Sequence, residues 1–379
     1  MAGCCRFGVG AAILVAGQVL AGCGDQHTES GNPGSAGAGP EQTGGTGATG
    51  QAGSGPDIIQ PECPDDALAC NGVCVAPGQS ANGCTVLGTS GGSASIDHGM
   101  TLDATHLYWV EQGTRVAVAR LPKTGGARED LLLTEDIPYS PAVNSSLVFF
   151  SEEGFSDSRL ESIAKTGGDA TVLTTHSDSL KDIVATETRV YFAREYFLDS
   201  RREIVSVPTA GGEEIIHGTS GAFGDNYTAV DATHVYWVND GFFDPSTIER
   251  APLEGTTSEV VVTAEGIRDY AIVGPTIYFY SNQTDSIQRV PASGGTAEVV
   301  YTMSDAPSSW LVLAATEQYV YWNGASSVWR VGTDGSAPTV LMTTSGWVTA
   351  VVADASGVYG AVNLGAHAGP SFLVKIDEP

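Results

Sequence analysis

The chain has 379 residues and a formal net charge of −27, with 17 basic residues against 44 acidic ones. So few cations cannot neutralise a phosphate backbone, which excludes nucleic acid as a partner. An acidic balance of this size favours a soluble monomer, and the length is enough to bury a large core.

Residues 1–22 read as an export signal. Arg6 gives a weak positive start, Val9 to Leu20 give an apolar core of 12 residues, and small residues follow. A bilayer span needs about 20 apolar residues, so this core does not cross a membrane. The string Leu20-Ala21-Gly22-Cys23 resembles the bacterial lipobox. That resemblance implies cleavage before Cys23 and its lipidation by a diacylglyceryl thioether and an N-acyl chain such as palmitate. More than one acyl chain makes membrane attachment stable. Gly24 after the cysteine implies, by the same resemblance, an outer-membrane lipoprotein facing the periplasm or the cell surface.

Residues 24–57, after the lipidated Cys23, hold 11 glycines and no aromatic side chain. Such a segment has nothing to bury against its ordering entropy and is expected to be a disordered tether. At about 5–6 Å × √n it reaches roughly 30–35 Å. Residues 58–84 form a small cysteine-rich segment with Cys63, Cys70, Cys74 and Cys84. Export meets an oxidising compartment, so two disulfides are expected, in any of three connectivities. A zinc knuckle is the rival, without paired C-x-x-C spacing to support it. The run from Cys70 through Cys74 to Asn82-Gly83-Cys84 resembles short cysteine-rich inserts of myxobacterial surface proteins.

From residue 85 to 379 a pattern recurs seven times: Leu107-Tyr108-Trp109, Leu147-Val148-Phe149, Val190-Tyr191-Phe192, Val235-Tyr236-Trp237, Ile277-Tyr278-Phe279, Val320-Tyr321-Trp322 and Val358-Tyr359-Gly360. The steps are 40, 43, 45, 42, 43 and 38 residues. A small-residue corner precedes the pattern, as in Asp103-Ala104-Thr105, Asp231-Ala232-Thr233 and Asp354-Ala355-Ser356. A Pro/Gly turn follows it, as in Pro122 to Gly126, Pro208 to Gly212 and Pro291 to Gly295, and then a short apolar strand closed by Thr. Runs of β-branched and aromatic residues between Gly, Pro and Asp are strands, and a period near 42 marks stacked units. The expected fold is all-β: a seven-bladed β-propeller of four-stranded antiparallel blades. Six or eight blades are the neighbouring alternatives. The seventh unit ends at Pro379 without a fourth strand, while Thr85-Val86-Leu87-Gly88-Thr89 stands unassigned before the first. The second is expected to complete the first and close the ring, since an open sheet edge invites aggregation. The paired aromatics are expected to fill the seams between blades.

Catalytic signals are weak. His106 and His234 share one repeat position and read as structural corners, and His98, His176, His217 and His367 are isolated. No calcium loop or phosphate-binding loop occurs. No metal or cofactor is expected, with Asp240, Asp244 and Glu249, or Glu152, Glu153 and Asp157, as weak metal candidates only. Two longer connections break the economy of the repeat. Arg194 to Arg202 carries Arg194, Tyr196 and Phe197, and Gly241 to Pro245 carries Phe242 and Phe243. These five residues are the candidate ligand contacts. Sequence does not assign either connection to a face.

The repeat resembles the extracellular and periplasmic propellers of the TolB-like, NHL-like and YWTD groups, though the full YWTD tetrad is absent. The resemblance implies fold more than activity. The expected function is a lipid-anchored, non-enzymatic binding or scaffold protein of the bacterial cell envelope, with a protein or glycan ligand. The alternative is a propeller enzyme, lyase or glycosidase, acting on polysaccharide or peptide.

Overall fold

The computed structural model describes residues 60–91, 96, 99–196, 201–221, 228–240, 245–304, 311–365 and 371–378. The signal, Cys23 and the tether lie outside the described residues, as do Phe197, Phe242 and Phe243.

Seven antiparallel sheets succeed one another along the chain. Blade 1 is made of Met100–Leu102, His106–Glu111, Ala117–Pro122 and Glu129–Leu133, from the axis outward. Blades 2 to 6 repeat this order over 137–176, 179–220, 228–264, 267–302 and 313–343. Blade 7 takes Trp347–Asp354, Gly357–Asn363 and Ser371–Ile376 from the chain end and Cys84–Thr89 from before blade 1. The first strands of consecutive blades touch all the way round, blade 7 against blade 1 included. The ring is closed, and the protein is a seven-bladed β-propeller.

One repeat needs correcting. In blade 2 the residue facing Ile163 is Val148, as Leu107 faces Leu121 in blade 1. The equivalent triplet is therefore Val148-Phe149-Phe150, one residue later than the hydrophobic pattern suggests. Leu147 is apolar enough to mimic the first position, and only the pairing register separates the two.

Successive side chains on a strand point to opposite faces, so the two aromatics of units 1 to 6 serve different seams, while unit 7 has Tyr359 followed by Gly360. Tyr108 packs with Val148, Phe150 and Ile163 toward blade 2, while Trp109 packs with Leu373, Tyr359 and Ala361 toward blade 7. The same division holds for Tyr236 and Trp237. Among the described residues the buried apolar side chains form seven separate clusters, one for each seam. The turn glycines also belong to the seams. Gly335 of blade 6 has φ +81°, and a Cβ there would sit 3.0 Å from the Val300 carbonyl oxygen of blade 5. Gly294 stands likewise 3.3 Å from Val261 O. Backbone meets backbone at these points, so no side chain fits.

The Asp corners lock adjacent blades. Asp103 Oδ1 accepts the Thr105 and His106 N–H groups (2.7 and 2.8 Å), and its Oδ2 accepts the Tyr108 hydroxyl (2.8 Å). Lys165 of blade 2 reaches back to Asp103 (2.6 Å) and stands 5.2 Å over the Tyr108 ring. Lys123 of blade 1 does the same to Asp354 and Tyr359 of blade 7. Burial alone would raise the Asp103 and Asp354 carboxyls. The lysines and the turn hydrogen bonds outweigh it and hold both below the usual carboxylate range. A depressed carboxyl stabilises the fold above its unfolded value and loses that contribution as pH falls toward its folded value. The wild-type urea midpoint should therefore drop below pH ~4. The Asp103→Asn/Asp354→Asn variant should start lower at pH 6 and show a shallower acid slope.

The latch is paired as the sequence implies: Val374 faces Val86 and Lys375 faces Thr85. The cysteine-rich segment reinforces it. Its hairpin, Leu68–Cys70 with Val73–Val75, lies against the outermost strand of blade 6, where Asn71 N donates to Thr343 O (2.8 Å) and Asn71 Oδ1 accepts from Thr343 N (2.7 Å). Of the three connectivities, the chain forms Cys63–Cys74 and Cys70–Cys84. The second bridge ties the hairpin to the first residue of the latch strand. Loops of this size contribute about 3 kcal/mol each on chain-entropy grounds. Val86 is fully buried in the seam of blades 6 and 7. Val86→Asp should destabilise the fold by at least about 4 kcal/mol in equilibrium urea unfolding. A change under about 1 kcal/mol would mean the latch does not hold the ring.

Candidate functional site at the upper rim

The two rims of the ring are built differently. On the lower rim the inner turns are two or three residues long, as at 274–275 and 103–105, and the outer turns are uniform, as at 123–128 and 333–338. On the upper rim the connections range from 177–178 to 90–99 and 303–312. Variable connections on a rigid scaffold are where propellers carry recognition. Both connections singled out in the sequence leave from this upper rim, one between Tyr196 and Arg201 and one between Asn239 and Ser246. The first is shorter than its sequence suggests. Arg194 and Tyr196 are strand residues paired with Glu203 and Arg201, because the second and third strands of blade 3 run to eight residues each.

Arg194 is mostly buried and already engaged. It donates to Glu203, to Glu214 (3.4 Å) and to His176 Nδ1 (3.1 Å), and His176 Nε2 lies 2.7 Å from Glu214. Tyr196 donates its hydroxyl to Glu203 (2.9 Å), and Arg201, 42% exposed, stacks 4.2 Å over its ring. Burial would raise the Glu203 carboxyl, but Arg194, Tyr196 and Arg201 together pull it down. The outward-facing element is the Tyr196 ring with its stacked guanidinium.

Nearer the axis lies a cluster that the sequence did not announce. The innermost strands of blades 2 and 3 are bulged, and Ser140 and Asp182 sit in the bulges with φ +48° and +54°. Such conformations are uncommon outside glycine and concentrate at functional positions. Asp182 N donates to Ser140 Oγ (3.2 Å), and the Asp182 carboxylate accepts from Arg202 (3.0 Å), which also holds Glu195. Beside them Asp269 is buried and accepts the N–H groups of Tyr270 and Leu313, both at 2.7 Å. Burial pushes its carboxyl up to about 8, against those two donors and helped by the Asp182 charge. Neither bulge has a sequence signal, since Ser140-Pro141 and Asp182-Ile183 share no residue type. At the start of the innermost strand of blade 7, Trp347 is 59% exposed.

Three of the remaining titratable candidates are occupied. Asp240 accepts from Ser246 (2.7 Å), Glu249 from Asn239 (2.8 Å), and Glu153 from Ser179 and Lys181. Asp244 lies outside the described residues. Among the described residues no group of three His, Cys, Asp or Glu side chains is arranged to hold a metal ion. His106 and His234 stand at their corners, each with Nδ1 against the hydroxyl of the preceding Thr (2.8 and 2.7 Å). His217 is fully buried in a seam between Ser206 Oγ (2.8 Å) and Gly255 O (2.7 Å). Burial lowers its basicity, so the neutral ring donates to the carbonyl and accepts from the hydroxyl. The lower rim holds a cleft of about 650 Å³ between blades 6 and 7, lined by Glu317, Tyr321, Asp354, Lys375, Asp377 and Glu378 among others.

No protein-family model matches the chain, and no curated protein does. Solved structures are similar to it. A chain of a nidogen/laminin complex matches at 15% identity and TM-score 0.42, over 59% of this chain and 81% of that one. TolB from Acinetobacter baumannii matches at 12% and 0.45, over 64% of this chain and 63% of TolB. An oligogalacturonate lyase in complex with manganese matches at 14% and 0.49, over 68% and 77%. At these identities the likeness is one of fold.

The side chains of Arg202 and Asp182 are 3% and 2% exposed. Removing one member of a buried pair takes a charge partner from the other, a loss of roughly 3–5 kcal/mol. Arg202→Met should fall in that range by urea unfolding. Asp182→Asn, which keeps the left-handed backbone and an acceptor, should lose less.

Proposed function

We propose that this chain is a lipid-anchored, non-enzymatic binding or scaffold protein of the bacterial cell envelope, with its recognition surface on the upper rim of the propeller. The observation that carries this reading is the asymmetry of the rims: one is uniform and the other holds every long connection. The charged side chains of blade 3 support it further. Arg194, Glu203, His176 and Glu214 bond to one another, an arrangement that fixes the Tyr196 surface in place. Tyr196, with Arg201 stacked on it, offers the outward-facing contact of this surface and Arg194 holds it from beneath, while the connections carrying Phe197, Phe242 and Phe243 leave from the same rim. The anchor rests on Leu20-Ala21-Gly22-Cys23, and the glycine-rich segment after it would hold the propeller clear of the lipid.

Two measurements test this. Mass spectrometry of the mature amino terminus should find an acylated Cys23, and an unmodified cysteine would remove the anchor. Co-sedimentation of the full chain with isolated envelope polysaccharide or protein should give saturable binding that Tyr196→Ala or Arg201→Ala weakens by about tenfold, or 1.4 kcal/mol. Turnover of a glycan or peptide panel would overturn the non-enzymatic reading.

A further inference from the structure

The upper outer end of the seam between blades 1 and 2 carries more negative charge than its own cations neutralise. Arg159 is the hub. Its Nη2 reaches Asp136 and Glu152 Oε2 (2.8 Å), and its Nε reaches Glu161 Oε1 (3.2 Å). Three carboxylates share one guanidinium. Asp157 adds a fourth: a Cβ on Gly154 would stand 3.2 Å from Asp157 Oδ1 and 3.7 Å from Asp136 Oδ2. Glu152 and Glu161 are only 3% and 6% exposed, yet Glu152 Oε1 has no hydrogen-bond partner. Burial is the main cause that raises both groups, and neighbouring carboxylates add to it; Thr134 and Arg159 pull Glu152 the other way, and Arg159 pulls Glu161. A buried carboxylate oxygen without a donor is an unfilled acceptor for a cation.

Apolar surface lies in water at the same corner. Phe155, next to Gly154, is fully exposed; Ile137, next to Asp136, is 40% exposed; Leu133, at the end of the strand leading there, is 62% exposed. Elsewhere among the described residues the exposed aliphatic side chains Val172, Ile216, Val260 and Val299 each lie on the outermost strand of a different blade. An unmatched carboxylate set rimmed by three exposed apolar side chains fits an organic cation with apolar neighbours better than a bare ion. The formal charge of −27 disfavours an anionic lipid surface as the occupant.

We propose that this corner is a docking surface for a polypeptide segment in which a Lys or Arg is flanked by apolar side chains. The cation lies against the outer carboxylates Asp136 and Asp157, above the buried Glu152, and the flanking groups cover Phe155, Ile137 and Leu133. This deepens the binding reading above and rests on it, because it supplies a partner class for the same rim.

The probes are two acetylated hexapeptide amides of equal charge, Lys-Phe-Lys-Leu-Lys-Phe and Lys-Gly-Lys-Ser-Lys-Gly. Each is titrated calorimetrically into the full chain at about 0.15 M salt, where long-range attraction is screened. The apolar peptide should bind at least about tenfold more tightly than the polar one. Phe155→Ser and Asp136→Asn should each weaken it about fivefold or more, while Asp377→Asn on the lower rim should change it less than about twofold. Phe155 is exposed and its replacement leaves the fold intact. Equal binding of the two peptides, or indifference to Phe155→Ser, would reduce the effect to general attraction and overturn the proposal. Calcium chloride that displaces the apolar peptide from the wild type but not from Asp136→Asn would overturn it in favour of a metal site. Failure here with intact envelope binding sinks only this partner class; loss of envelope binding sinks the broader reading.

Discussion

The constraint on which this molecule depends is that no four-stranded sheet of its kind can bury both faces alone. Units 1 to 6 therefore each carry two large side chains on adjacent positions of the second strand, one for the blade behind and one for the blade ahead, and unit 7 supplies Tyr359 beside Gly360. Tyr108 and Trp109 show the division most plainly, with Trp109 in the seam toward blade 7 and Tyr108 in the seam toward blade 2. Because the core is distributed over seven seams, a blade is stable only when both neighbours are present, and the array has to close. The polar corners repeat the same logic: Lys165 on Asp103 and Lys123 on Asp354 join blades, not strands within a blade.

Closure falls where the last blade of the circular array meets the first. The ring is completed by antiparallel pairing of Cys84–Thr89 with Ser371–Ile376. The cysteine-rich hairpin then covers the outer strand of blade 6 and, through Cys70–Cys84, fixes the start of the latch. One small module thus shields an edge and secures the closing strand. The two disulfides serve the junction, and the other seams hold by packing and by cross-blade polar contacts such as Lys165 on Asp103.

Much of this was legible in the sequence, for a definable reason. Period-2 alternation, positive-φ glycines and the Asp-Ala-Thr corner are local, and local chemistry repeats visibly. The orphan strand at residues 85–89 could be matched to the unfinished seventh unit because a count of strands exposes a deficit. The one-residue offset in blade 2 was hidden, since Leu147 and Val148 are both apolar and only cross-strand register tells them apart. Ser140 and Asp182 were hidden for a deeper reason. Their bulges are fixed by the geometry of the ring interior, and dissimilar dipeptides answer the same demand.

The sequence by itself determined the class of fold, the blade count, the closing strand and the cysteines that pair, because each follows from chain-local patterns or from counting. The tertiary structure decided which cysteine meets which, and that both unusual connections open on one rim. It also showed that Asp136, Glu152 and Glu161 converge on a single Arg159. Those facts concern residues brought together from different strands and blades, and proximity across a closed ring is not written in any stretch of chain short enough to show a pattern.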